Sequence, residues 1–361
     1  MSLFEKAKKD IVEVSSELDE QIWAHINDLT KPPGALGELE QVAFRFARIR
    51  RETIPAVPKK RLYTFAGDHG VTEEGVSAFP AEVTVQMVAN MMQGGAAINV
   101  FGRHVDCDVQ VVDVGVNADL SAMEGVLHRK VRMGTRNMVT EAAMTEAEVM
   151  QALEVGIALA LDAAADGVTL MGTGEMGIGN TTPAAALMHV LLPCDLKQIV
   201  GRGTGVDDVG LQRKRDAIAA AVRLHSLDGN DQDPLLALQK VGGLEIAALT
   251  GLMLGCAAKR IAVVVDGFIS SAAALVACKL NPATSDYLLF SHLSAEQGHR
   301  RFVEGLGVRP ILDLGFRLGE GTGAALAMSL VDASVKMMRE MATFSSAGVS
   351  TALEESGEGA A

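Results

Sequence analysis

Ile261-Ala262-Val263-Val264-Val265-Asp266-Gly267 decides the fold: five apolar residues run without a break and stop at an acid and a glycine. A strand exposed on one face alternates apolar and polar residues, whereas one without alternation is covered on both sides. Related β-branched runs recur at Arg61 to Gly67, Asp108 to Gly115, Val168 to Gly172 and Tyr287 to His292. Between them lie Ala/Leu/Met-rich stretches with helical spacing, including Thr145 to Ala165, Leu244 to Lys259 and Ile269 to Lys279. This alternation predicts an α/β fold, a Rossmann-like parallel sheet with helices on both faces. Ligands of such sheets sit at the carboxyl ends of the strands.

The two chain ends read differently. Residues 1–55 and 321–361 are expected to form a small helical domain, interrupted at Lys31-Pro32-Pro33-Gly34, with residues 56–320 as the α/β nucleotide-binding domain. The tail from about residue 345 is small, polar and acidic, and is expected to be partly disordered. No internal repeat is visible.

With 361 residues, 48% of them hydrophobic, the chain can bury an ample core. A formal net charge of −13 argues against a nucleic-acid partner, since phosphate backbones demand clustered Lys and Arg. No apolar run approaches membrane-spanning length and the first residues lack a signal peptide's apolar core, so a cytoplasmic protein without a membrane partner is expected. Cys107, Cys194, Cys256 and Cys278 form no C-x-x-C pair, and the histidines show no H-x-x-H or H-E-x-x-H spacing, so no metal site is expected. Nor is there a G-x-S-x-G elbow.

Three segments carry candidate chemistry. Gly172-Thr173-Gly174-Glu175-Met176-Gly177 has dinucleotide-fingerprint spacing, but Glu175 would set a negative charge where a pyrophosphate must lie. The alternative is a turn whose N–H groups and the Thr181 and Thr182 hydroxyls hold one small anion or a ribose. A second segment, Gly201-Arg202-Gly203-Thr204-Gly205, leads through Asp207-Asp208 into a helix carrying Arg213, Lys214 and Arg215, placing cations beside a flexible turn. The acidic pair suits a helix N-cap better than a magnesium-pyrophosphate site. The third, Arg317-Leu318-Gly319-Glu320-Gly321, sets one carboxylate among glycines before a long helix. It reads either as a macrodipole partner or as a general base.

Together with Ala66-Gly67-Asp68-His69-Gly70-Val71, Gly94-Gly95-Ala96-Ala97, Val241-Gly242-Gly243, Asp266-Gly267-Phe268 and Ser291-His292-Leu293-Ser294-Ala295-Glu296, these ordered pieces resemble the nicotinate-nucleotide–dimethylbenzimidazole phosphoribosyltransferase family. The resemblance runs from Lys31 to about Met341. It implies transfer of phosphoribose from nicotinate mononucleotide to 5,6-dimethylbenzimidazole or a related base, in cobalamin lower-ligand assembly. It further implies a homodimer and no cofactor. The same resemblance makes Glu320 the general base and Glu175 a second carboxylate of the site. Gly174, Gly177, Asn180, Thr181, Thr182, Gly203, Gly205, Lys214, Asp266, Ser291 and Ser294 are implied to bind substrate, Lys214 near the 5′-phosphate. Phe79, Pro80, Met87 and Leu318 would line the aromatic-base pocket. Here the chain departs from the pattern, because some members carry Ser and Gln where Phe79 and Met87 fall. That bears on which base is preferred. Two carboxylates in one apolar cleft should raise the pKa of at least one. A nicotinamide-dependent oxidoreductase and a non-catalytic nucleotide-binding protein are the competing readings, and both leave Glu320 without a role.

Overall fold

The computed structural model describes residues 1–192, 194–229 and 232–350. Six parallel strands form one sheet: β1 (Lys60–Gly67), β2 (Asp108–Gly115), β3 (Leu127–His128), β4 (Leu170–Met176), β5 (Ala262–Val265) and β6 (Leu288–Phe290), in the order β3-β2-β1-β4-β5-β6. The order reverses between β1 and β4, where the crevice of an open α/β sheet opens. All four residues of β5 are buried, as its unbroken apolar run predicts. The helix Leu244–Ala258 is buried along nearly its whole length and packs against Glu146–Ala165. Gly156, Gly251 and Gly255 allow that approach, since a methyl group at any of them would strike the neighbouring helix.

The expected strand at Val168 to Gly172 is displaced. β4 begins at Leu170 and continues through Gly172, Thr173, Gly174 and Glu175 to Met176. Glycines that read as a turn therefore lie within a central strand, and the following helix starts only at Thr181. Close approach of another chain segment explains them. A Cβ on Gly174 would collide with the Glu320 carbonyl, and one on Gly177 with the Gly67 carbonyl.

Two compact units are present: Met1–Val14 with Pro58–Ser329, and 15–57 with 330–350. The first fourteen residues thus lie with the sheet and not with the expected helical domain. Phe4, Ala7 and Ile11 are buried there, and Leu3 N donates to Glu154 Oε1 at 3.0 Å. The smaller unit has its own core of Ile22, Ile26, Leu29, Ala43, Ala47, Met337 and Met338. Within it Trp23 stacks on Phe44 at 4.6 Å, and Lys31 pairs with Glu40 at 3.1 Å. A short helix, Phe344–Ala347, lies where the tail was expected to fray; the expectation for residues 351–361 falls outside the described residues.

Candidate active site

A cleft of about 250 Å³ opens at the carboxyl edge of the sheet, within the larger unit. Its floor is the end of β4 and the start of the next helix: Glu175, Met176, Gly177, Asn180 and Thr181. Gly203 and Thr204 form one wall, Gly267 with Phe268 another, and Ser294, Arg317, Leu318 and Gly319 close the rim. Phe79 and Leu318 stand at the cleft 50% and 61% exposed, an apolar pair that a flat ligand could cover.

Glu320 sits on a turn that hydrogen bonds from two sides fix in shape. Gly319, Glu320 and Gly321 all have positive φ, at 84°, 64° and 97°. For a residue with a side chain this left-handed geometry costs roughly 1–2 kcal/mol. The surroundings impose it. Asp266 Oδ2 accepts from Gly321 N at 3.2 Å and its Oδ1 from Ala324 N at 2.9 Å, capping the helix Thr322–Glu340. Thr64 Oγ1 donates to the Glu320 carbonyl at 2.9 Å. The Glu320 side chain lies against Ile98 N, 3.5 Å away, at the start of the helix Ala97–His104. It is only 4% exposed. Burial pushes its pKa up, the Ile98 N–H pulls it back and Asp266 pushes it further up.

Glu175 is 5% exposed and accepts a hydrogen bond from Asn180 Nδ2. Burial drives its pKa up to about 8, with Asp266, Glu245 and Glu320 adding to the rise and Asn180 opposing it. The expected pKa elevation is therefore present, but desolvation is its main cause and Glu320 the weakest contributor. Gly319 packs so closely on the Glu175 carboxyl that no Cβ fits there. Beneath this floor His69 Nε2 meets Glu245 Oε1 at 2.9 Å, fully buried.

Lys214 is buried on the helix Asp208–Leu224, whose N-cap is Asp207, as the acidic pair suggested. Its Nζ donates to Thr181 Oγ1 at 2.8 Å and to Gly201 O at 3.0 Å, tying both to the cleft wall. Burial lowers its pKa to about 8, and Glu296 counteracts this.

Of the residues expected at the site, Glu175, Gly177, Asn180, Thr181, Gly203, Ser294, Phe79 and Leu318 line the cleft. Gly174, Asp266 and Glu320 stand behind that lining, in the loop-and-strand contact that shapes it. Ser291 is fully buried and bonded to His292 Nδ1 at 3.0 Å, and Thr182 is equally buried. Gly205 lies in the loop at φ 111° with nothing beside it. Pro80 is exposed and Met87 half-buried on the helix Val83–Met92; neither lines the cleft. Glu296 and Phe268 do line it without having been assigned a role from sequence, and Thr204 lines it between the two glycines expected around the nucleotide. Their signal was position alone, next to strand ends or glycines already singled out. Among the described residues no group of three or more His, Cys, Asp or Glu is placed to hold a metal, and no helix is long and apolar enough to cross a membrane.

A family profile described as "Phosphoribosyltransferase" matches residues 11–349. The chain is 52% identical to the nicotinate-nucleotide–dimethylbenzimidazole phosphoribosyltransferase of Geobacter sp. (strain M21), covering 97% of this chain and 100% of that one. It is 56% identical to the protein of that name from Chlorobium chlorochromatii (strain CaD3), over 93% and 95% of the two chains. The crystal structure of CobT from Thermus thermophilus superposes with a TM-score of 0.89 at 47% identity, over 93% of this chain and 100% of that one.

Proposed function

This chain belongs to the nicotinate-nucleotide–dimethylbenzimidazole phosphoribosyltransferase family and is a phosphoribosyltransferase, and we propose from that premise that it moves the phosphoribosyl group of nicotinate mononucleotide onto 5,6-dimethylbenzimidazole or a related base by direct displacement. The observation that carries the mechanism is the buried Glu320 carboxylate, raised in pKa on a backbone turn clamped by Asp266 and Thr64.

The mononucleotide lies along the floor from Glu175 to Thr181, with its 5′-phosphate toward Gly203 and Lys214. The aromatic base lies against Phe79 and Leu318, and Glu320, just behind this lining, turns from Ile98 N to its N–H when the base binds. A benzimidazole nitrogen attacks C1′ as the bond to the nicotinate nitrogen breaks, and the pyridinium leaves as neutral-ring nicotinate. The attacking ring would end cationic unless its other nitrogen gives up its proton. Glu320 takes that proton, and a carboxylate with a raised pKa is the better acceptor. Attack opposite the leaving group converts β to α. Hydrogen bonds of this kind often tighten only once substrate binds, so the present contact of Glu320 with Ile98 N is its resting position. Glu175, neutral at pH 7, adds no charge beside an anionic nucleotide.

A homodimer belongs to this reading; light scattering should return the mass of two chains. The reaction itself is tested by chromatographic assay of nicotinate release from nicotinate mononucleotide, with and without 5,6-dimethylbenzimidazole. Release that depends on the base supports the transferase. Release without it would indicate a hydrolase, and none with any aromatic base would return the cleft to the dinucleotide reading.

A further inference from the structure

Glu296 ends the Ser291–Glu296 segment and enters the cleft wall. It is buried, forms the N-cap of the helix Gln297–Leu306, and has its own N–H bound to Ser294 Oγ at 3.2 Å. Both of its carboxylate oxygens accept from a single donor, Gly203 N, at 3.2 and 3.1 Å. Gly203 has φ 53°, and its loop is also tied by Arg317 Nη1 to the Gly203 carbonyl at 3.2 Å. Lys214 Nζ reaches the same loop at Gly201 O. An anion of the chain's own therefore occupies the N–H at the seat assigned above to the nucleotide phosphate.

Two anions cannot share that N–H, and one buried lysine does not neutralise a carboxylate and a phosphate dianion together. We propose that Glu296 is an internal stand-in for the substrate phosphate: it holds the Gly201–Gly205 loop in shape while the site is empty and is displaced when the phosphate arrives. It thereby sets how strongly the site prefers a phosphorylated ribosyl donor. This rests on the placement of the phosphate at Gly203 and Lys214 made under the proposed function.

Glu296→Gln separates charge from bracing, because the amide oxygen can still accept from Gly203 N. Initial rates are compared for nicotinate mononucleotide and nicotinate riboside at saturating 5,6-dimethylbenzimidazole, and inorganic phosphate binding is titrated calorimetrically. The variant should lower KM for the mononucleotide and Kd for inorganic phosphate by at least about fivefold, a small fraction of the cost of opposed like charges. Nicotinate riboside should respond less, so the preference for the phosphorylated donor grows. Glu296→Ala should tighten inorganic phosphate in the same direction, which covers failure of the first variant to fold. An unchanged donor preference overturns the proposal, as does an equal rise of KM for both donors, the mark of a carboxylate that binds ribose. If the wild type shows no base-dependent release, the transferase reading falls, and the phosphate titration alone still decides the role of Glu296.

Discussion

The glycines of Gly172–Gly177 and of Gly201–Gly205 look alike in sequence and serve opposite ends. In the first segment they lie in or just beyond a buried strand, and the space of each missing side chain is filled: Glu320 carbonyl over Gly174, Gly67 carbonyl over Gly177, Leu62 and Met328 over Gly172. In the second they lie in an irregular loop, two of them at positive φ; the polar ends of Glu296 and Thr181 face Gly201 and Gly203, and a Cβ on Gly205 would meet open space. The first set lets the Glu320 turn press onto the sheet and fixes the proposed base. The second gives a loop that side chains hold in place and that a ligand can reorganise. Glycine as absent volume and glycine as backbone freedom are distinct demands.

A single methyl group added to either segment should act differently in the two. Gly174→Ala should lower kcat by at least about 100-fold, because it displaces the Glu320 turn from its seat. Far-UV circular dichroism checks that the sheet survives; a kcat within threefold of wild type would show that the turn needs no such contact. Asp266→Asn should cost about tenfold in kcat, since an amide cannot accept from both Gly321 N and Ala324 N in place of the carboxylate's two bonds. An unchanged rate would remove Asp266 from the clamp.

The carboxylates give a pH test. Activity should rise with pH as Glu320 ionises, then decline as pH passes about 8 and Glu175 ionises beside the nucleotide. Glu175→Gln should remove the alkaline limb and keep the acid one. Because the folded-state pKa of Glu175 is raised, its proton stabilises the fold at low pH, and that contribution is lost as pH rises through about 8. From pH 5 to pH 9 the wild type should therefore lose about 2 °C or more of Tm relative to Glu175→Gln, by differential scanning calorimetry. The smallest effect is expected at Gly205→Ala. Strain of about 1–3 kcal/mol from a side chain at φ 111° should weaken mononucleotide binding and leave kcat little altered.

Much of the fold is legible in the chain because burial dictates it locally. β1, β2 and β5 follow from apolar runs that only a covered sheet can accept, and the helices between them from their spacing. β4 differs from the expected strand because Gly174 answers to Glu320 and Gly172 to Leu62 and Met328, all distant in sequence, and nothing local distinguishes that from a turn. β3, two residues long, is held by pairing with Val112 and Asp113 and has no pattern of its own. The N-terminal helix went to the wrong unit because its apolar face fits either core by composition. At the site, Glu320 and Glu175 stood out as acids among glycines. Asp266 was recognised but its action is indirect, through Gly321 and Ala324. Glu296 stayed unread, since its partner Gly203 lies 93 positions away.

Proton removal from the attacking base is the role proposed for Glu320. Single-turnover nicotinate release by Glu320→Gln, with nicotinate mononucleotide and 5,6-dimethylbenzimidazole both saturating, tests it most directly. The variant's rate should fall by about 10²–10⁴-fold, with mononucleotide affinity retained. A rate within tenfold of wild type, still rising with pH as before, would contradict it and move the base elsewhere in the cleft.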